Sequence, residues 1–148
     1  RVLEPNVSTT LERFKVLETL RGEGIPTVVW LSPILPYIND TEENLRGILD
    51  YCIRAKVHAI LCFGFGMTLR DGNREYYYEM LDRYFPGLKK KYIYFYGDSY
   101  ECISPHHTQL MNILSDECKK NGILLGTDSV FNYLSQFETK ESQLSFFN

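Results

Sequence analysis

Two short stretches of this 148-residue chain carry residue types that could do chemistry. The first is Ser32-Pro33-Ile34-Leu35-Pro36-Tyr37-Ile38-Asn39, which follows the β-branched and aromatic run Thr27-Val28-Val29-Trp30-Leu31. Pro33 and Pro36 remove two backbone donors and fix φ, so the loop is stiff without a regular ladder. A stiff apolar wall with Ser32, Asn39 and free carbonyls suits a flat, mostly apolar ligand face such as an adenine ring. The commoner role of such residues is structural: Pro33 ends the strand, and Ile34, Leu35 and Ile38 plug the open end of a sheet. The second stretch is Gly64-Phe65-Gly66-Met67-Thr68-Leu69-Arg70-Asp71-Gly72. Paired glycines let a backbone approach a ligand closely, and N–H groups there could meet an anion. The spacing matches neither a dinucleotide fingerprint nor a P-loop, and a tight strand-to-loop turn is the commoner role of an isolated glycine pair. Arg70 could bind a carboxylate or phosphate, although an exposed Arg beside Asp71 is more often a solvated pair.

Other candidates are weaker. His106 and His107 are adjacent, so on a helix they point about 100° apart and do not chelate one ion together; a solvated helix start is the simpler reading. His58, in an apolar strand, reads as a core or edge histidine. Glu4-Pro5 could put a carboxylate at the rim of a site or simply lead into the first helix. Eight of the eleven tyrosines fall between Tyr76 and Tyr100. Tyr76, Tyr77, Tyr78, Tyr92, Tyr94 and Tyr96 could stack bases, but only Lys89, Lys90 and Lys91 add clustered positive charge nearby, which favours packing against the missing half. No nucleophile, base and orienting group stand in a recognisable set.

The elements that must position these stretches are well signalled. Thr9-x-x-Glu12 is a capping box, followed by Leu11, Phe14, Leu17 and Leu20 at helical spacing until Gly22, Gly24 and Pro26. Asp40-x-x-Glu43 opens a second helix, with Leu45, Ile48, Leu49, Cys52 and Ile53 on one face. Val57-His58-Ala59-Ile60-Leu61-Cys62-Phe63 is a second nearly apolar strand, and a helix is expected over Asn73–Tyr84. Ser104-Pro105 starts a helix that runs to about Lys120 and stops at Asn121-Gly122. A last helix is expected over Asp128–Glu138, with a loose polar tail beyond it. Strands apolar on both faces, alternating with helices, are the signature of parallel βα units. Two such strands do not make a stable sheet alone. The expectation is a sheet completed by a missing half or by self-association through its open edge.

The composition is that of an ordinary globular domain: 44% hydrophobic, 24% charged, net charge −3. No apolar run of about 18 residues is present, so no membrane span is expected, and the acidic balance gives no general reason to bind nucleic acid. Cys52, Cys62, Cys102 and Cys118 are not spaced as CxxC, so they imply no local zinc or iron–sulfur site. Buried free thiols, suited to a reducing cytoplasmic setting, are the better reading.

Two segments carry a resemblance. Glu4-Pro5-Asn6-Val7-Ser8-Thr9-Thr10-Leu11-Glu12-Arg13-Phe14, with Leu17, Leu20, Gly24, Ile25 and Pro26, and then Ser32-Pro33-Ile34-Leu35-Pro36-Tyr37-Ile38-Asn39-Asp40, resemble the later part of a radical S-adenosylmethionine domain of the group related to spore photoproduct lyase. The resemblance covers roughly Val2 to Cys102. It implies an α/β fold: the later part of a partial (βα)6 barrel with parallel strands over residues 1–102, plus C-terminal helices over 103–148. In that family a CxxxCxxC loop after the first strand holds a 4Fe-4S cluster that reductively cleaves S-adenosylmethionine. This chain has no CxxxCxxC, so the resemblance implies a C-terminal segment that is inactive alone and holds neither cofactor stably. It also implies that Ser32, Pro33, Ile34, Cys62, Phe63 and Gly64 lie near the adenosyl group of the intact barrel, with Gly66, Met67 and Thr68 at the substrate rim. Two alternatives stay open on the residues alone: a non-catalytic interaction module, or another βα-barrel enzyme with a phosphate site at Gly64–Gly66.

Overall fold

The computed structural model describes residue 3 and residues 6–136. Its elements in chain order are α1 (Thr10–Gly22), β1 (Val28–Trp30), α2 (Glu42–Arg54), β2 (Ala59–Leu61), β3 (Gly66–Thr68), α3 (Asn73–Tyr84), α4 (Leu88–Tyr96), β4 (Glu101–Ile103), α5 (His107–Asn121), β5 (Leu124–Leu125) and α6 (Thr127–Leu134). Three strands form a parallel sheet in the order β1-β2-β5, with Val28 opposite Ala59 and Ala59 opposite Leu124. β3 and β4 form a separate antiparallel ribbon. The described residues therefore make a mixed α/β fold around an open parallel sheet.

Strand alternation sorts the sheet's side chains onto two faces. Val29, Ile60 and Leu125 pack with Phe14, Leu45, Leu49, Cys52, Leu110, Leu114 and Cys118, so α1, α2 and α5 cover that face. Val28, Ala59, Leu61 and Leu124 point the other way and meet Val130 of α6. α6 covers only part of this second face. Beyond it Trp30 is 62% exposed and Phe63 60% exposed, their rings 5.4 Å apart.

A further core lies outside the sheet, where Leu69, Tyr77, Leu81, Tyr92 and Cys102 are buried together. The segment between β1 and α2 joins the two cores: Ile34 is buried in the sheet core, whereas Tyr37 and Ile38 pack on the second. Tyr92 Oη donates to Pro36 O at 2.7 Å and accepts from Tyr77 Oη at 3.0 Å, so both buried hydroxyls are satisfied. Tyr77 and Tyr92 are thus packed within their own chain, whereas Tyr76, Tyr84, Tyr94 and Tyr100 of the same segment stay exposed.

The α1 capping box forms with both reciprocal hydrogen bonds, and Gly22 ends that helix. The start of α2 differs from the sequence reading. Thr41 is the N-cap, accepting from Asn44 N at 3.2 Å, and Asp40 is drawn into the interior. Helix α5 begins at His107 with His106 at its N-cap position and no side-chain cap, so Ser104-Pro105 precedes the helix instead of capping it; Gly122 closes it at φ 67. The reading of residues 103–148 as helical only is corrected by β5, whose two residues are too few to show strand periodicity but add a third parallel strand. Helix α4 was not anticipated either, because Lys-Tyr-Ile-Tyr-Phe-Tyr has strand-like residue types. α6 starts at Thr127; the part of the expected last helix beyond residue 136, and the polar tail, lie outside the described residues. No described helix is long and apolar enough to cross a membrane.

Candidate functional site

The carboxyl ends of β1 and β2 open into a cleft of about 810 Å³. Ligands of open parallel sheets collect at this end, because the loops there can diverge without breaking the ladder. Of the residues expected at a site, Ser32, Pro33, Phe63, Gly64 and Gly66 line the cleft. Ile34 does not: it is 4% exposed and belongs to the core beneath. The loop is therefore both wall and plug, with the two roles divided among its residues.

Hydrogen bonds hold the wall in shape. Ile34 N donates to Gly66 O at 3.2 Å, tying the two candidate loops together. Leu35 N donates to Asn39 Oδ1 at 2.6 Å, and Asn44 Nδ2 donates to Asn39 O at 2.8 Å. Asn39 thus supplies the partner that a strand neighbour would otherwise give, which is how this polar side chain fixes an irregular backbone.

The glycine pair admits parts of the chain itself. A Cβ on Gly64, at φ 119, would lie 2.8 Å from His107 Cε1. A Cβ on Gly66 would lie 2.5 Å from Cys102 O. Phe65 N donates to His107 Nδ1 at 3.2 Å, which withdraws that N–H from any anion. The imidazole also meets the Phe65 ring edge-on, with centroids 6.4 Å apart.

His107 itself is placed from behind by a buried polar pair. Ser104 Oγ donates to Asp40 Oδ2 at 2.6 Å, and each residue is only 3% exposed. The same hydroxyl accepts from His106 N at 3.0 Å, and His107 N donates to Ser104 O at 3.0 Å. Asp40, Ser104 and His107 are the residues that sequence reasoning missed as parts of a site. The histidine lies 43 positions from Gly64 and the carboxylate 64 positions from its serine, so local spacing carries no signal of either contact.

The remaining candidates are placed as follows. His58 is exposed at the start of β2 and stacks on Tyr133 at 3.8 Å, so it is not a core residue. Arg70 Nε donates to Tyr100 Oη at 3.2 Å, and this bond, with a second from Thr68, holds the Tyr100 hydroxyl below the ordinary tyrosine range. Met67 and Thr68 line the cleft with Arg13, Asn73 and Glu101. Glu4-Pro5 lies outside the described residues. Burial pushes the Cys52 thiol up to about 12 and the Cys118 thiol up to about 11, and raises Cys62 and Cys102 as well. Protonated thiols are poor metal ligands. Among the described residues no three His, Cys, Asp or Glu side chains are grouped to hold a metal ion.

No family model, curated protein or solved structure matches this chain.

Proposed function

We propose that this chain is the later part of a radical S-adenosylmethionine barrel, contributing its last strands and one wall of the ligand cleft to an enzyme whose cluster-binding half carries CxxxCxxC. The observation that carries the reading is the second face of the parallel sheet. It presents Val28, Trp30, Ala59, Leu61 and Phe63, as the inner face of a barrel would, and leaves Trp30 and Phe63 uncovered beside the cleft. A soluble domain rarely leaves large aromatic rings in contact with water at the mouth of a sheet unless another surface covers them. In this reading Pro33 and Phe63 offer the flat apolar contact for an adenosyl group, and Ser32 and Asn39 frame it. In this reading the cluster and the reductive cleavage of the cofactor belong to the other half, since this chain has no CxxxCxxC.

Two measurements test the proposal. The coding sequence upstream of Arg1 is expected to contain CxxxCxxC; its absence refutes the reading. The protein expressed from that whole coding sequence, reconstituted anaerobically and reduced with dithionite, is expected to release 5′-deoxyadenosine from S-adenosylmethionine. The present chain treated alike is expected to show no iron–sulfur absorbance, and stoichiometric cluster uptake by it would place the ligands wrongly here.

The same uncovered face favours one other reading, a module that pairs with a second copy of itself. Light-scattering mass separates the two: a monomer at high concentration removes self-pairing, and a stable dimer buried through Trp30 and Phe63 supports it.

A further inference from the structure

His107 is built into the cleft more firmly than packing requires. Its ring occupies the space beside Gly64 that any other residue's Cβ would take. Its Nδ1 accepts the Phe65 amide proton, which puts the ring proton of the neutral imidazole on Nε2. Among the described residues Nε2 has no hydrogen-bond partner, and the side chain, half-buried, lines the cleft. A protonated Nε2 cannot ligate a metal ion, so metal binding is not what this orientation prepares. It prepares a fixed donor.

We propose that His107 is the polar anchor of the cleft, donating Nε2–H to an acceptor atom of a nucleoside-class ligand whose flat apolar part rests against Pro33 and Phe63. The inference rests on the reading of this cleft as a ligand site and adds the residue that would orient the ligand. The ligand class follows from the walls: a stiff proline and an exposed aromatic ring on one side suit a heteroaromatic base. A single donor held by backbone and by the Asp40–Ser104 pair suits the oxygen or ring-nitrogen acceptors such a molecule carries. Gly64 then has one task, to let the imidazole stand close to the sheet at the wall of the cleft.

The test uses the chain as it is, with adenosine and AMP as probes at millimolar concentration. Binding is read by quenching of Trp30, the only tryptophan, and by NMR shifts of the Gly64 and Phe65 amides and the His107 ring. Wild type is expected to shift these signals, including His107 Nε2–H. His107→Asn keeps an acceptor near the Nδ1 position for the Phe65 amide but has no atom that reaches as far as Nε2. It is expected to keep its melting temperature and bind the probes about three- to tenfold more weakly, the loss of one hydrogen bond. His107→Gln, which extends an N–H donor to about the Nε2 position, is expected to recover most of that loss. Unchanged affinity in His107→Asn overturns the role of His107 while leaving the cleft as a ligand site. No response of Trp30 or of the cleft amides in wild type overturns the cleft itself and the proposal with it. Should His107→Asn fail to fold, a His107 ring signal that stays still while the Gly64 and Phe65 amides move overturns the proposal in wild type alone.

Discussion

Replacing Ser104 with alanine removes one oxygen atom from the interior and nothing else, so its cost can be worked out from the contacts. The hydroxyl donates to Asp40 Oδ2 at 2.6 Å and accepts from His106 N at 3.0 Å. Both residues of the side-chain pair are 3% exposed, so water does not replace the lost partner of the carboxyl oxygen. A hydrogen bond to a charged group contributes about 1.5–3 kcal/mol, and a buried acceptor left bare incurs its desolvation cost in the same range. The His106 amide is near the surface and can turn to water, so it adds little. The expected loss for Ser104→Ala is therefore about 2–3 kcal/mol, which for a chain of this size lowers the melting temperature by about 5–10 °C. Asp40→Asn keeps an amide oxygen that can accept from Ser104, so its loss is expected to be smaller. In a double-mutant cycle of Ser104→Ala with Asp40→Ala the coupling is expected to exceed about 1 kcal/mol. Chemical denaturation followed by far-ultraviolet circular dichroism measures each corner. A Ser104→Ala protein within about 0.5 kcal/mol of wild type would refute the reasoning, because it would mean that the carboxyl group has water or another partner.

Three more outcomes are expected. Gly64→Ala places a Cβ 2.8 Å from His107 Cε1 at a φ of 119, so it is expected to cost at least about 2 kcal/mol and to shift the Phe65 amide signal as the His107 bond breaks; a neutral substitution contradicts the packing. Arg74 donates to the carbonyls of Leu69, Gly97, Asp98 and Ser99 at 2.8–3.2 Å. Arg74→Ala is expected to cost about 2–3 kcal/mol, and Arg74→Lys to recover little, since an ammonium cannot fan out to four acceptors. Thermal stability is expected to fall as pH rises from about 9 towards 12, because burial raises Cys52 and Tyr77 to about 12 and Cys118 to about 11 from ordinary values of 9.0 and 10.0. The sign follows from linkage: these groups stay protonated in the folded chain while the unfolded chain releases their protons, so the stabilisation is complete below the ordinary values and is lost above them. A melting temperature flat between pH 9 and 12 would count against those thiols and that phenol being buried.

Where the residues that form an element lie next to each other, the sequence could be read directly. The capping box of α1 and the apolar stripe of α2 needed only spacings of three and four, and both are present, although of the α1 stripe only Phe14 is buried and Leu11 is exposed. The position of the candidate loops at the carboxyl ends of parallel strands followed from strand type and order. What stayed hidden depends on contacts between distant segments. Asp40 and Thr41 are equally good helix caps on paper, and the choice between them is made by Ser104, a residue 64 positions on. Gly64 looked like a place for a ligand because a glycine reports only that something comes close, and here that something is His107. Helix α4 was concealed by aromatic residues whose strand preference is overruled by tertiary packing, with Tyr92 fully buried between Tyr77 and Tyr96.

The loop between β1 and α2 has little evolutionary latitude. Its first half is seated in the sheet core through Ile34 and its second half in the other core through Tyr37 and the Pro36 carbonyl. Inserting one residue would move one of these anchors by about 3.3 Å relative to the other, too far for either core to absorb. A lineage that altered what the cleft admits would have to do so elsewhere.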